Sequence, residues 1–156
     1  MLTSRPTRRD AFEAFVRGAE PRLRQALSAT LGSDRGREAT ADALAYAWEN
    51  WDRVSAMANP VGYLYVTGRD RGRRANRTRL VTLLPIEQPR IPWIEPGLVD
   101  SLQELAERQR TVVVLLYCFE WSMSEVADML GVTKSTVQKH ATRGIETLRR
   151  RLGVEI

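Results

Sequence analysis

The residues whose types could do chemistry are concentrated in one short stretch near the C-terminus, between Lys134 and Arg143. This stretch combines hydroxyl, amide, imidazole and cationic side chains. Such side chains bond to base edges in the major groove of DNA, because they supply donors and acceptors of suitable reach. The candidate DNA-contacting residues are Lys134, Ser135, Thr136, Gln138, Lys139, His140 and Arg143.

The sequence has few of the residue patterns that catalytic sites require. The chain has one His and one Cys, so a metal cluster of His and Cys ligands is not expected. It has neither a Gly-rich phosphate loop nor a His-based nucleophile pair. Cys118 lies in the apolar run VVVLLYCF, which predicts a buried, inert thiol. We therefore expect no enzyme and no cofactor.

The net positive charge is concentrated in two runs of sequence. Residues 69–79 hold six Arg and one Asp, and residues 134–151 hold six cations and one Glu, so each run nets +5. The whole chain also nets +5, so the remainder is net acidic. Clustered cations of this kind favour a polyanionic partner over two merely solvated faces.

Helical spacing of apolar residues predicts an all-α protein with two small domains. The first domain is expected at 8–79 and the second at 101–156. A linker at 80–100 separates them, because four of the seven prolines fall there and proline at that density prevents a long helix.

Within the first domain we expect three helices. Pro21 is predicted to interrupt the first helix, and Pro60 suits the first position of the third. A second helix is predicted from about Glu38 to Val54. Its apolar side would present Ala41, Leu44, Ala45, Trp48 and Trp51.

The second domain carries local signals for helix ends. Ser101 and Ser122 each precede a Glu by three residues, which predicts two capping boxes. Gly131 supplies a turn and Thr133 can cap the helix that follows. Two helices joined through Gly131 form the pattern of a helix-turn-helix.

The last helix is predicted to have two faces. At 100° per residue, its apolar side chains fall on one side: Val137, Ala141, Ile145, Leu148 and Leu152. The candidate DNA residues lie opposite or flank that side, and Arg149–Arg151 could contact phosphates. A pair of amphipathic helices that only closes a small core has the same apolar pattern. The polar face and the basic tail favour DNA binding.

The segment ERQRTVVVLLYCFEWSMSEVADMLGVTKSTVQKHATRGIETLRRRLG resembles the fourth conserved region of bacterial sigma factors of the sigma-70 family, in particular the extracytoplasmic-function group. ATADALAYAWENWDR resembles the clamp-docking helix of the family's second region, and NPVGYLYVTGRDRGRR resembles its promoter-melting segment. The two regions occur in the family's order and cover nearly all of the chain.

The resemblance implies a sigma factor that binds core RNA polymerase and promoter DNA. The last helix would read the minus-thirty-five element. The residues that would face the melted minus-ten strand are Tyr63, Arg69, Asp70, Arg73 and Arg74. Polymerase docking would fall to Glu38, Asp42 and Trp48.

Three positions depart from the family's pattern. Tyr63 stands where the family usually has Trp, and at helical spacing it could equally be a core residue. Asp70 stands where Asn is common. The docking helix begins with Arg37-Glu38 and only Asp42 further on, where the family usually has an acidic cluster.

Two other functions remain open from the sequence. A stand-alone helix-turn-helix regulator would use only the second domain, and a sigma-like mimic would bind an anti-sigma factor without needing DNA contacts. An anti-sigma factor is also a possible partner of an initiating sigma factor. We expect a cytoplasmic protein that is a monomer when free, without membrane insertion, since the sequence has neither an apolar spanning run nor a signal-peptide pattern.

Overall fold

The computed structural model describes residues 4–79 and 97–154, with the side chains of 75–79 left out. These residues form α1 (Arg8–Leu31), α2 (Ser33–Glu49), α3 (Trp51–Ser55), α4 (Pro60–Arg79), α5 (Leu98–Glu104), α6 (Glu107–Val113), a π-helical turn (Val114–Cys118), α7 (Met123–Leu130) and α8 (Lys134–Leu152). No strand occurs in these ranges, and the predicted all-α class is confirmed. None of the helices described is long and apolar enough to cross a membrane.

The chain divides into two compact units, Met1–Gly72 and Arg73–Ile156. The division falls inside α4, and the first unit ends seven residues before the predicted domain end at 79. Most of the predicted linker, residues 80–96, lies outside the described residues. The predicted end of the linker at residue 100 was wrong, because α5 begins at Leu98, directly after Gly97 in the left-handed conformation.

The first unit is built on the pairing of α1 with α2. Small residues make the close approach possible: a Cβ on Gly36 would lie 2.5 Å from the Cα of Ser28. The buried residues of α2 are Gly36, Ala39, Thr40, Ala43 and Ala47. Three of the five residues predicted on the apolar side of the second helix were wrong, since Ala41 and Ala45 are exposed and Trp48 is 39% exposed. Leu44 is half-buried, and Trp51 is buried as predicted.

Two predicted boundaries in this unit were also wrong. Pro21 does not interrupt α1, which continues to Leu31. Pro21 is exposed, so the carbonyl group that loses its helical donor there can be hydrated. The second helix begins at Ser33 rather than Glu38, and Asn50 separates it from α3. The predicted start of α4 at Pro60 is confirmed.

A buried hydrogen bond joins α1 to α4. The hydroxyl oxygens of Thr30 and Tyr65 lie 2.7 Å apart, and both residues are at most 2% exposed. Thr30 donates its hydroxyl hydrogen to the carbonyl of Ala26 at 2.9 Å. Tyr65 is therefore the donor to Thr30, and its aromatic ring can stay in the core with its polar tip satisfied.

We expect Tyr65→Phe to lower the free energy of unfolding by about 1 kcal/mol, because the buried Thr30 oxygen loses a donor. Urea denaturation followed by circular dichroism measures the change. In a Thr30→Val background the same substitution should cost less, since the hydroxyl pair is already broken. Equal costs in both backgrounds would show that the pair adds nothing to stability.

The second unit packs α5, α6 and α7 around α8. Its buried apolar residues include Leu105, Val112, Val113, Leu115 and Val126. Gly144 of α8 allows close packing on α6, since a Cβ there would lie 2.7 Å from Cγ2 of Val113. An ion pair between Arg151 and Glu104 links α8 to α5.

One predicted cap and one predicted burial in this unit were wrong. Ser101 is a buried residue inside α5 rather than its N-cap, because the helix already begins at Leu98. Cys118 is exposed, since the π-helical turn ends there and directs it outward. Neighbouring atoms still desolvate its sulfur, which raises the pKa of the thiol. The thiol is therefore protonated at neutral pH and a poor nucleophile.

Candidate nucleic-acid interface

The turn between α7 and α8 is fixed by local hydrogen bonds. The Ser122 hydroxyl accepts from the backbone N–H of Glu125 at 3.1 Å and caps α7. Gly131 ends α7 in the left-handed region, at φ 67°, which a residue with a Cβ adopts only at a cost. Thr133 caps α8 by accepting from the N–H of Thr136 at 3.2 Å. The cap at Thr133 and the turn at Gly131 are confirmed, and at Ser122 the hydroxyl half of the predicted capping box is confirmed.

Helix α8 has the two faces that the sequence predicts. Val137, Ala141, Gly144 and Leu148 are buried, with Val137 fully so. The predicted DNA residues Lys134, Ser135, Gln138, Lys139 and Arg143 are exposed. The outer face of α8 is therefore available along the first three turns of the helix.

Thr136 and His140 are the two predicted DNA residues of α8 that are partly buried. The Thr136 hydroxyl lies 3.0 Å from that of Thr133, so it supports the helix start. Burial lowers the pKa of His140, and the nearby guanidinium groups of Arg108 and Arg143 lower it further. His140 is therefore neutral at pH 7 and can accept as well as donate a hydrogen bond.

The cations of the outer face carry unneutralised charge. Among the described residues, no carboxylate pairs with Lys134, Lys139, Arg143 or Arg149. Gln138 is less free, because its amide donates to the Thr142 hydroxyl at 3.1 Å. Of the predicted phosphate-contacting tail, Arg151 is occupied by Glu104. The first turns of α8 thus combine donors, an acceptor-capable imidazole and free cations.

This geometry can be compared with known proteins. Residues 98–148 match the family model described as sigma-70, region 4. The C-terminal unit contains a sigma-70 region 4 domain. The resemblance drawn from the sequence is confirmed for this region 4 domain, whose last helix is α8.

A solved structure extends the similarity to the fold of nearly the whole chain. The sigma factor RpoE of Bartonella quintana, solved in complex with the anti-sigma factor NepR, matches with a TM-score of 0.62 at 20% sequence identity. The match covers 94% of this chain and 99% of that chain. At this identity the likeness shows a shared fold. The comparison with curated proteins finds no match.

The predicted melting residues of α4 fall on different faces of that helix. Asp70 and Arg74 follow Tyr63 by seven and eleven residues, so they share its face, whereas Arg69 and Arg73 lie a quarter to a third of a turn away. The Arg69 side chain is only 15% exposed. It bonds to Asp70 at 3.4 Å. Arg73 and Arg74 are exposed.

The predicted docking residues lie on the outside of α2. Glu38 and Asp42 are exposed. The indole of Trp48 is covered in part by Arg8, whose guanidinium lies 4.7 Å from the ring centroid and donates to the Trp48 carbonyl at 2.8 Å. The ring of Phe12 is 5.1 Å away. Trp48 therefore belongs to an aromatic edge between α1 and α2.

Three polar residues around Tyr63 were missed from the sequence. Its hydroxyl oxygen lies 3.1 Å from that of Tyr46. Arg53 donates to the Tyr46 hydroxyl and to the Tyr63 hydroxyl at 3.4 Å. The guanidinium of Arg71 lies 5.0 Å from the Tyr46 ring centroid. We call these four residues the tyrosine–arginine cluster. They come from α2, α3 and α4, so no sequence spacing links them.

Within the described residues, 4–79 and 97–154, no three or more acidic, His and Cys side chains come together in a group that could hold a metal ion.

Proposed function

We propose that the protein is a sigma factor of the extracytoplasmic-function group, which binds core RNA polymerase and directs it to specific promoters in the cytoplasm. The observation that carries this proposal is the free polar face of α8 within a region 4 domain. Catalysis would belong to the polymerase, and the chain itself would supply recognition.

Helix α8 is suited to the minus-thirty-five element by size and by chemistry. Its N-terminal turns carry short side chains at the exposed Ser135 and the half-buried Thr136, which let a helix approach base edges closely. Lys139 and Arg143 can donate to guanine, and Gln138 can pair with adenine after releasing Thr142. A neutral His140 offers an acceptor that a charged one would lack.

Phosphate contacts would add affinity without sequence information. Lys134 begins the helix and Arg149 lies near its end, and both are exposed cations. Each phosphate neutralised releases condensed counterions, so binding should weaken steeply as salt rises. The base-facing residues between them would then set the preferred sequence.

The first unit would engage polymerase and the melted strand. The exposed carboxylates of Glu38 and Asp42, one turn apart on α2, and the partly exposed indole of Trp48 would supply the contacts to polymerase. Tyr63 offers a ring for stacking. Arg73 pairs with the carboxylate of Glu107 and Arg74 also has a partner, so each would exchange that partner for a phosphate of single-stranded DNA. An anti-sigma factor is a further proposed partner, supported by the complex in which the similar Bartonella protein was solved.

Two charge removals on α8 should weaken promoter binding without changing the fold. We expect Lys139→Ala and Arg143→Ala each to lower affinity by about 5- to 100-fold, corresponding to about 1–3 kcal/mol. Fluorescence anisotropy with a promoter duplex selected from genomic fragments measures the change. If the removed cation contacts a DNA phosphate, the slope of the logarithm of affinity against the logarithm of salt concentration should decrease by about 1.

The matched control is Arg17→Ala, which removes one exposed cation from α1. It should leave promoter affinity within about two-fold of the wild type. Circular dichroism should be unchanged in all three variants, since none of the three side chains is in the core. Wild-type affinity in both α8 variants would remove α8 from the interface.

Polymerase binding is tested by retention of purified core RNA polymerase on the tagged full-length chain. We expect retention by the wild type and its loss in Glu38→Lys/Asp42→Lys, where two exposed carboxylates are reversed. Arg17→Ala again serves as the folded control. If polymerase is not retained while promoter DNA is still bound, the stand-alone regulator becomes the better account.

A further inference from the structure

The tyrosine–arginine cluster of the first unit has an arrangement that core packing does not require. Tyr46 and Tyr63 are half-buried, whereas Arg53 and Arg71 are exposed. The two rings are 6.2 Å apart and tilted by 41°. The hydroxyl groups of both tyrosines accept hydrogen bonds from Arg53. The polar atom of each ring therefore already has a partner, and the rest of each ring is apolar surface.

Both guanidinium groups of the cluster keep their full charge. Among the described residues, no carboxylate pairs with Arg53 or Arg71. Arg53 instead lies 5.7 Å from the centroid of each tyrosine ring. Neutral hydroxyls and aromatic faces do not cancel a cation, so the cluster presents net positive charge beside aromatic surface.

Aromatic surface beside unpaired guanidinium groups fits one class of ligand well. A nucleotide of single-stranded nucleic acid offers a base that stacks and a phosphate that Arg can bind with two donors.

We propose that Arg53 is a positioning residue that holds Tyr46 and Tyr63 as one rigid platform for an unpaired nucleotide of the melted strand, with Arg71 beside it for the phosphate. This rests on the proposed promoter function, which already assigns Tyr63 to that strand. It adds that the orientation of Tyr63 depends on three residues from other turns and helices.

Arg53→Lys separates positioning from charge. Lysine keeps the positive charge but lacks the planar group with which Arg53 spans two hydroxyls. The probes are a fluorescein-labelled oligothymidine of about 12 nucleotides and an abasic strand of the same length, with full-length protein and no polymerase. The abasic strand has the phosphates without the bases, so the ratio of the two affinities isolates stacking.

For the wild type we expect oligothymidine to bind at least about five-fold more tightly than the abasic strand. Arg53→Lys should reduce that ratio towards one while keeping most of the affinity for the abasic strand. Arg71→Gln should weaken both strands together. The matched control Arg17→Lys, at an exposed α1 position, should keep the wild-type ratio.

A wild-type ratio of one, or an unchanged ratio in Arg53→Lys, would overturn the platform. Thermal melting of each variant distinguishes a lost platform from a damaged fold. Tyr46→Phe gives a second check, because it removes one hydroxyl from Arg53 and should lower the ratio without any change in charge. Because polymerase is absent, failure here is distinct from failure of polymerase retention in the sigma-factor proposal.

Discussion

Val137→Asp should unfold the region 4 domain. Val137 is fully buried on the inner face of α8, and an aspartate there would bury a carboxylate without a partner. We expect the free energy of unfolding of this unit to fall by about 4 kcal/mol or more, which is most of the stability of a small domain. Hydrogen exchange with mass spectrometry should show α6, α7 and α8 losing protection.

The control for this substitution is the next residue along the helix. Gln138→Asp adds the same charge at an exposed position and removes only the bond to Thr142. Its exchange pattern should match the wild type within the second unit. In Val137→Asp, helices α1 and α2 should stay protected, since they belong to the other compact unit. Full protection of α8 in Val137→Asp would mean that the two faces of α8 are assigned the wrong way round.

Gly36→Ala should be the most damaging small substitution in the first unit. The added Cβ would lie 2.5 Å from the Cα and 2.6 Å from the backbone nitrogen of Ser28. Backbone atoms cannot rotate away as a side chain can, so α1 and α2 must separate. We expect a loss of about 2 kcal/mol or more, measured as a lower urea midpoint for the unfolding of this unit.

Gly18→Ala is the matched substitution for this test. Gly18 lies inside α1, and a Cβ there meets nothing within 4 Å. Alanine should stabilise the helix by about 0.5–1 kcal/mol, because it loses less backbone entropy than glycine on folding. Destabilisation by Gly36→Ala together with stabilisation by Gly18→Ala would establish that α1 and α2 approach closely at Gly36. Stabilisation at both positions would contradict it.

The sequence predicts the region 4 domain well because its signals are local. Ser122, Gly131 and Thr133 each act within three or four residues of their own position, through a cap or a turn. The apolar side of α8 is also strongly patterned, since Val137 and Leu148 stand among polar and charged neighbours. Caps and turns of this kind depend on residues that are neighbours in the sequence, so they can be predicted without knowledge of the tertiary contacts.

The errors arise where tertiary packing overrides a local pattern. Ser101 and a Glu three residues later form a cap signal, yet Gly97 starts the helix earlier and buries Ser101. On α2 the large Trp48 suggests the inner face, but Gly36 and Ala39 pack there because α1 comes close. Size of side chain is a poor guide when helices approach through small residues.

The tyrosine–arginine cluster shows a different limit. Tyr46, Arg53 and Tyr63 lie on three elements, and their contacts exist only once those elements are packed. The sequence indicates that Tyr63 is either core or DNA-facing, and the structure makes it half-buried. The hydroxyl of Tyr63 is held by hydrogen bonds inside the unit, while part of its ring is accessible. Tyr63 can therefore both support the fold and face DNA.

Run-off transcription with purified components tests the central claim most directly. Core RNA polymerase is mixed with the full-length chain and a library of genomic promoter fragments, and the transcripts are sequenced. We predict start sites that are absent with core polymerase alone and that are lost with Lys139→Ala/Arg143→Ala but kept with Arg17→Ala. Transcripts identical to those of core polymerase alone would contradict the proposal that this protein is an initiating sigma factor.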